Sequence, residues 1–155
     1  MLADGIEAAE LVARVRLRLE RRAEQRLQRE RDTLTGLLLR RAFVERFNGR
    51  LAELRRTRGQ VSVALLDLDH FKRINDDLGH LTGDRVLANF GHFLENSLRT
   101  EDLQCRWGGE EFVIACFEQE ADTMRAIVER AIKDFAAQTL RDDLGQPFQV
   151  SFSGG

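Results

Sequence analysis

The chain lacks what would take it out of an aqueous, reducing setting. No apolar run approaches the ~20 residues needed to span a bilayer, and the N-terminus has no signal-peptide pattern. Only two cysteines occur, Cys105 and Cys116, too few to suggest a disulfide framework. If the glycine pair at 108–109 closes a tight hairpin, Cys105 faces roughly Val113 and not Cys116. Both thiols are therefore expected to be reduced, in a cytoplasmic domain. Charge of one sign is also missing. The 24 Lys and Arg against 26 Asp and Glu leave a formal net charge of -2, with no electrostatic footprint for general binding to nucleic acid or an anionic membrane. What remains, 43% hydrophobic and 32% charged residues, is the make-up of an ordinary soluble globular protein. The length suits one domain with a proper core, plus an appendage.

The appendage is the first thirty residues or so. "AAELVARVRLRLERRAEQRLQRERD" contains no Pro or Gly and is dense in Arg, Glu, Leu and Ala, all good helix formers. Its apolar positions Ala8, Val12, Val15, Leu19, Ala23 and Leu27 step by three or four, a seam one helix wide. The run of steps of four at its end resembles a coiled-coil stutter. A lone solvated helix is the alternative, but so many arginines leave it no core of its own. The expectation is a helix over residues 1–31 that pairs with its counterpart in a homodimer.

Beyond it, helix and strand alternate. About Arg41 to Arg56 reads as an amphipathic helix with Phe43, Val44, Phe47, Leu51 and Leu54 on one side. "QVSVALLDLD" is an unbroken apolar run and predicts a central strand buried on both faces. A second helix is expected over about Gly83–Leu98, with Val86, Leu87, Phe90, Phe93 and Leu94 as its apolar side. "DLQCRW" and "EFVIACF" predict two strands around Gly108-Gly109, glycines expected to supply the positive φ of a tight hairpin. A third helix is expected over about Ala121–Gln138, and "FQVSFS" as the last strand. The order β-α-β-β-α-β makes the class α/β, with a mixed sheet flanked by helices.

Several polar residues fall at the ends of these elements. Asp67 and Asp69 close the apolar strand two residues apart, on one face of it, where a carboxylate is costly unless paired or coordinated. The hairpin carrying Glu110 and Glu111 would lie beside that strand. Carboxylates from two strands make an all-oxygen cation site suited to Mg²⁺ or Mn²⁺; capping of backbone amides is the bland alternative. The next segment, "HFKRINDDLGHLTGD", is read as a loop at the carboxyl end of the strand, where ligands of α/β sheets bind. Lys72 could neutralise phosphate, and backbone amides of the following turn could hold more of it. The Asn75 amide could meet guanine O6 and N7, and Asp84 could accept from N1 and N2. Together these describe a nucleoside triphosphate site. His80 and His92 have no partner at ligand spacing and read as structural.

Four motifs in register then carry a family resemblance. "DTLTGL" fits D-x-L-T-G-L, "DLDHFKRIND" fits D-x-D-x-F-K-x-I-N-D, "GHLTGD" fits G-H-x-x-G-D, and "GGEEF" is a variant of G-G-D-E-F. Residues 32–155 resemble a GGDEF domain, the family of bacterial diguanylate cyclases. The resemblance implies a palm-like domain related to nucleotidyl cyclases, with ferredoxin-like connectivity. It also implies condensation of two GTP into cyclic di-GMP and two pyrophosphates across a homodimer. Asp67 and Glu110, helped by the Leu68 carbonyl, would hold Mg²⁺ or Mn²⁺. Lys72, Phe71, Gly108 and Gly109 would contact the nucleotide, Asn75 and Asp84 its base, and Glu111 would stand near the attacking 3′-hydroxyl. Asp84 implies GTP, because relatives that accept ATP tend to carry Ser there. Arg99 and Asp102 match the family's R-x-x-D site, where cyclic di-GMP acts as product inhibitor, Arg99 being suited to guanine O6 and N7. The alternative for that pair is a weak ion pair at a helix end. Two departures stand out. Leu39 precedes Arg40 where Asn is usual, and "SFSGG" reaches the family's S-x-G strand and stops at Gly155. Relatives continue into a helix whose Lys and Arg grip phosphate, so a molecule ending there is expected to have little or no activity. The competing function is a non-catalytic cyclic di-GMP or GTP receptor.

Overall fold

A computed structural model describes residues 8–155, without the side chains of residues 8, 9 and 22–29. The chain falls into two compact units, Met1–Glu30 and Arg31–Gly155. The first contains helix α1, Ala8–Glu30. Its described residues 10–21 are all exposed, including Val12, Val15 and Leu19 of the expected seam. The side chains of Ala8, Ala23 and Leu27, the rest of that seam, lie outside the described residues. A Glu10–Arg14 ion pair at 2.6 Å spans one turn, the spacing that favours an isolated helix.

The second unit is a mixed sheet flanked by helices. Its elements are β1 (Leu38–Leu39), α2 (Arg40–Thr57), β2 (Val61–Leu68), α3 (Phe71–Leu78), α4 (His80–Ser97), β3 (Leu103–Arg106), β4 (Glu111–Phe117), α5 (Ala121–Ala136), β5 (Leu140–Arg141), β6 (Pro147–Phe148) and β7 (Phe152–Gly154). The main sheet runs β1-β3-β4-β2-β7, and β5-β6 form a separate two-stranded ribbon. Among the described residues only β1 and β3 pair in parallel. The helices cover the two faces of the sheet unequally. Against one face the α4 and α5 side chains meet Leu66, Leu68, Phe112, Ile114 and Phe152. Phe90 sits at the middle of that layer, 4.8–4.9 Å from the rings of Phe112, Phe135 and Phe152. On the other face α2 lays Phe43 and Leu54 over Cys105, Val113, Ala115 and Phe117.

Where the molecule differs from the sequence reading, the reasons are local. β2 alternates instead of being buried throughout: Ala64, Leu66 and Leu68 are buried, whereas Val63 and Leu65 are 50% and 49% exposed. α2 covers β3 and β4 but leaves this part of β2 open. Val44 of α2 is also exposed, at 41%, on the edge of the apolar side. "FQVSFS" is not one strand. Phe148 pairs with Leu140 in the ribbon, and the chain then crosses to pair Phe152 with Leu68. The expected loop after β2 is two helices, α3 and the start of α4, joined by Gly79 at φ 84°. That left-handed turn is one a side chain rarely tolerates. Neither Gly108 nor Gly109 has a positive φ; the tip closes through the Trp107 and Gly108 N–H groups donating to the Glu111 carbonyl, at 2.8 and 3.2 Å. Cys105 pairs with Val113 as expected. Both cysteines are free and buried, and burial pushes each thiol up to about 12.

Candidate functional site

The site is assembled by the register of two antiparallel strands. β2 and β4 pair from Val61↔Phe117 to Asp67↔Glu111, and the Leu68 N–H donates to the Glu110 carbonyl at 3.3 Å. Asp67, Leu68, Glu110 and Glu111 thus meet at one end of the sheet, although the chain separates them by a helical hairpin and a strand. Asp67 and Glu111 are exposed and Glu110 is half-buried, which leaves the carboxylates in reach of a solvent-borne ligand. Asp69 has a different fate from Asp67. It stands past the end of β2, where the Ser151 and Ser153 hydroxyls donate to its two oxygens and its N–H donates to the Ser151 carbonyl at 3.0 Å. The Asp69 carboxylate is thus taken up by two serine hydroxyls, and not by the backbone amides of the capping alternative.

Among the described residues no three His, Cys, Asp or Glu side chains converge into a metal cage. Asp67, Glu110 and the Leu68 carbonyl remain as all-oxygen donors, with Asp67 exposed and Glu110 half-buried. Mg²⁺ prefers such a half-built site, since it keeps several waters and is usually held by one or two carboxylates plus substrate phosphates. The donor chemistry therefore fits that ion. Gly108 contributes by having no side chain: a Cβ there would lie 2.6 Å from Glu111 Oε2, so its absence lets the Glu111 carboxylate fold back over the tip.

The helices after β2 carry the remaining candidates. Lys72 is exposed in the first turn of α3, and Asp84 is exposed in the first turns of α4. Asn75 is half-buried where the two helices pack, its amide lying over Gly83. Asn75 and Asp84 are thereby brought to neighbouring positions on separate helices. Phe71, 7% exposed, has its side chain in the core. What it can present to a ligand is backbone at the start of α3. His80 is exposed at the head of α4, and His92 pairs with the Asn96 amide at 3.0 Å.

Two residues that the sequence reading passed over hold the hairpin in place. The Arg106 guanidinium donates through Nη1 to both Asp32 oxygens at 3.2 and 3.3 Å. Through Nε and Nη2 it donates to the Gly109 carbonyl at 3.1 and 2.9 Å. Asp32 is fixed in turn by the Thr35 N–H and hydroxyl, both at 2.8 Å. The pair is only 19% and 17% exposed, which shields it from the screening that weakens surface ion pairs. Beside it Arg40 lies over Trp107 at 4.4 Å, and Phe43 meets Trp107 edge-on at 6.1 Å. Asp32 was visible as the first letter of "DTLTGL", but nothing in that string names Arg106 as its partner.

Arg99 and Asp102 do not form the ion pair that was the bland alternative. The buried Asp102 carboxylate accepts from the backbone N–H groups of Arg99 and Phe117, at 3.2 and 3.3 Å, and its own N–H donates to the Arg99 carbonyl at 3.1 Å. Asp102 thus ties the turn after α4 to the end of β4. Exposed Arg99 lines a cleft of about 250 Å³ together with Arg31, Glu95 and Gln104.

Comparison with known proteins adds the following. Residues 29–155 match the family described as "Diguanylate cyclase, GGDEF domain". The chain is 40% identical over 132 residues to the diguanylate cyclase DgcP of Pseudomonas aeruginosa, covering 85% of this chain and 20% of DgcP. It is 36% identical over 125 residues to the diguanylate cyclase DosC of Escherichia coli, covering 80% of this chain and 27% of DosC. The chain therefore spans only about a fifth to a third of the curated relatives it matches. Among solved structures it is similar to the coiled coil and GGDEF domain of Caulobacter crescentus DgcB in complex with c-di-GMP. The TM-score there is 0.85 at 26% identity, covering 95% of this chain and 78% of that one. Similarity to the diguanylate cyclase SiaD of Pseudomonas aeruginosa, solved with its activator SiaC, has a TM-score of 0.78 at 34% identity, covering 95% and 58%.

The Asp32–Arg106 contact has a pH signature. Burial alone would raise the Asp32 pKa, but hydrogen bonds from Thr35 and the charge and hydrogen bond of Arg106 outweigh it, so the carboxyl titrates below its ordinary 3.8. A depressed folded pKa stabilises the fold above the unfolded value, and that contribution disappears as pH falls through the folded one. Asp32→Asn should cost about 1–3 kcal/mol at pH 7, read by urea unfolding. The gap to the parent chain should close in acid below pH 3.8. A gap that persists undiminished at the acid end would show that the ionised carboxylate is not what matters.

Proposed function

The chain belongs to the GGDEF diguanylate cyclase domain family, and from that premise we propose that it condenses two GTP into cyclic di-GMP and two pyrophosphates. The observation that carries the proposal is the meeting of Asp67 and Leu68 with Glu110 and Glu111 at the end of the β2–β4 pair. In the proposed reaction the Asp67 and Glu110 carboxylates and the Leu68 carbonyl hold Mg²⁺ or Mn²⁺, which when bound neutralises charge on the reacting phosphates. Lys72 and the backbone at Phe71 meet phosphate oxygens, while Gly108 and Gly109 keep the hairpin tip open to the nucleotide. Asn75 takes guanine O6 and N7, and Asp84 takes N1 and N2. The 3′-oxygen of one GTP bonds to the α-phosphorus of the other as the bond to pyrophosphate breaks, and Glu111 receives the 3′-proton. A second transfer in the opposite sense closes the ring and releases the second pyrophosphate.

One domain holds one GTP in this scheme, so two must face each other. The exposed Val12, Val15 and Leu19 of α1 support pairing of that helix in a coiled-coil homodimer. Cyclic di-GMP is proposed to bind back at the Arg99 cleft, with Arg99 as the guanine contact and Asp102 as the residue shaping the turn. Among the described residues no helix is long and apolar enough to cross a membrane, and use of GTP favours a cytoplasmic setting.

With GTP and Mg²⁺ the chain continued past Gly155 with the corresponding segment of DgcP should form cyclic di-GMP, measured beside the 155-residue chain. Glu110→Ala should lower the rate by about 100-fold or more. Bound GTP without product in any version would favour the receptor reading instead. Removal of residues 1–28 should halve the mass seen by sedimentation and abolish product; a dimer that survives the deletion would refute pairing through α1. Arg99→Ala should leave the initial rate unchanged and weaken inhibition by added cyclic di-GMP roughly 10-fold, whereas unchanged inhibition would remove the Arg99 cleft from the scheme.

A further inference from the structure

We infer that Gly83 is a positioning residue for base recognition: its bare α-carbon seats the Asn75 amide where it reads the O6/N7 edge of guanine. The inference rests on the reading of Asn75 and Asp84 as the base readers and adds the residue that places one of them. α3 and α4 are joined by Gly79 alone, and their backbones are linked in series. The Gly79 N–H donates to the Asn75 carbonyl at 3.0 Å, and the Gly83 N–H donates to the Gly79 carbonyl at 3.2 Å. This folds α3 back so that Asn75 lies directly over buried Gly83. A Cβ at position 83 would come 2.0 Å from Asn75 Oδ1 and 3.0 Å from Asn75 Cγ, while its next neighbour, Phe71 Cζ, lies at 3.4 Å, within ordinary contact.

The identity of the clashing atom separates this glycine from one that merely lets helices approach. At Gly91, also buried in α4, an added Cβ would meet the Thr35 carbonyl oxygen at 2.5 Å and Thr35 Cα at 3.0 Å, so backbone itself would have to move. At Gly83 the obstacle is the far end of one side chain, which can swing away at little cost to the fold. A methyl at 83 therefore displaces the Asn75 amide and leaves the packing of α3 on α4 in place. Alanine also favours a helix interior over glycine, so propensity and recognition pull in opposite directions at this position. Asp84, the next residue, is exposed and in this reading keeps its edge of the base.

Equilibrium binding to the 155-residue chain tests this, with the non-reacting α,β-methylene analogues of GTP, 7-deaza-GTP and inosine triphosphate in Mg²⁺. The first substitute lacks the N7 acceptor and the second lacks the 2-amino group. The parent chain should prefer the GTP analogue over both. Gly83→Ala should weaken binding of the GTP analogue roughly 5- to 10-fold and erase the preference over the 7-deaza form. The preference over the inosine form should survive. Asn75→Ala should behave alike, and adding Gly83→Ala to it should cost nothing further in binding while raising the melting temperature. Full discrimination in Gly83→Ala, loss of both preferences together, or additive losses in the double variant would each overturn the inference. If Gly83→Ala fails to fold, the double variant decides: with the amide gone it should fold, and failure there overturns the inference too. A parent chain that does not discriminate at all would instead bring down the base-reader assignment on which the inference rests.

Discussion

The register between β2 and β4 is the constraint on which the rest of this molecule depends. Side chains alternate across a strand with a period of two, so a slip of one residue would send every inward group outward. Ala64, Leu66 and Leu68 of β2 and Phe112 and Ile114 of β4 all enter the layer under α4 and α5. The observed pairing does that for both strands at once, and a slip of one residue would not. The same pairing sets Asp67 opposite Glu111. Apolar burial around Phe90 thus decides where the carboxylates stand, with no attraction between them required. Like charges can be held together at the sheet end because the strands beneath them are committed elsewhere.

The tip of the hairpin needs a second restraint, since a turn without positive φ at its glycines has little to define it beyond the two bonds to the Glu111 carbonyl. Arg106 provides one. Its planar fork suits two acceptors at once: the Asp32 carboxylate on one side and the Gly109 carbonyl on the other. Asp32 is itself locked by Thr35, and the Thr35 carbonyl packs against Gly91 of α4. The turn that begins the second unit, the hairpin tip and α4 are therefore connected through a few polar contacts around one guanidinium. Displacing the turn at Asp32 would move the Gly109 carbonyl with it.

The base-reading side of the site is organised differently, by absence of side chains. Gly79 supplies a left-handed turn between α3 and α4, and Gly83 supplies space for Asn75. Gly108 does for Glu111 what Gly83 does for Asn75, leaving room for a polar group to lie flat against backbone. Precision at the site comes from helices and strands that are packed for apolar reasons, with glycines placed where a polar side chain has to fit.

Much of this was legible beforehand. The amphipathic stretches of α2, α4 and α5, the β3–β4 hairpin, the Cys105–Val113 pairing and the meeting of Asp67 with the two glutamates all follow from periodicity, turn residues and neighbouring strands. All but the last are short-range properties, settled by residues a few positions apart or by one hairpin; the meeting at Asp67 followed from placing that hairpin beside the apolar strand in one sheet. Four ordered motifs also identified the family. What only the tertiary structure decided depends on partners far away in the chain. Asp69 differs from Asp67 because Ser151 and Ser153 arrive beside it. Val63 and Leu65 stay half exposed because α2 lies over β3 and β4 instead. Phe71 turns into the core because α3 is a helix packed on α4, and Asp102 bonds backbone because β4 ends next to it. Arg106 and Gly83 acquire their roles in the same way. A guanidinium or a missing Cβ has no meaning in one dimension until the fold brings Asp32, Gly109 or Asn75 within reach.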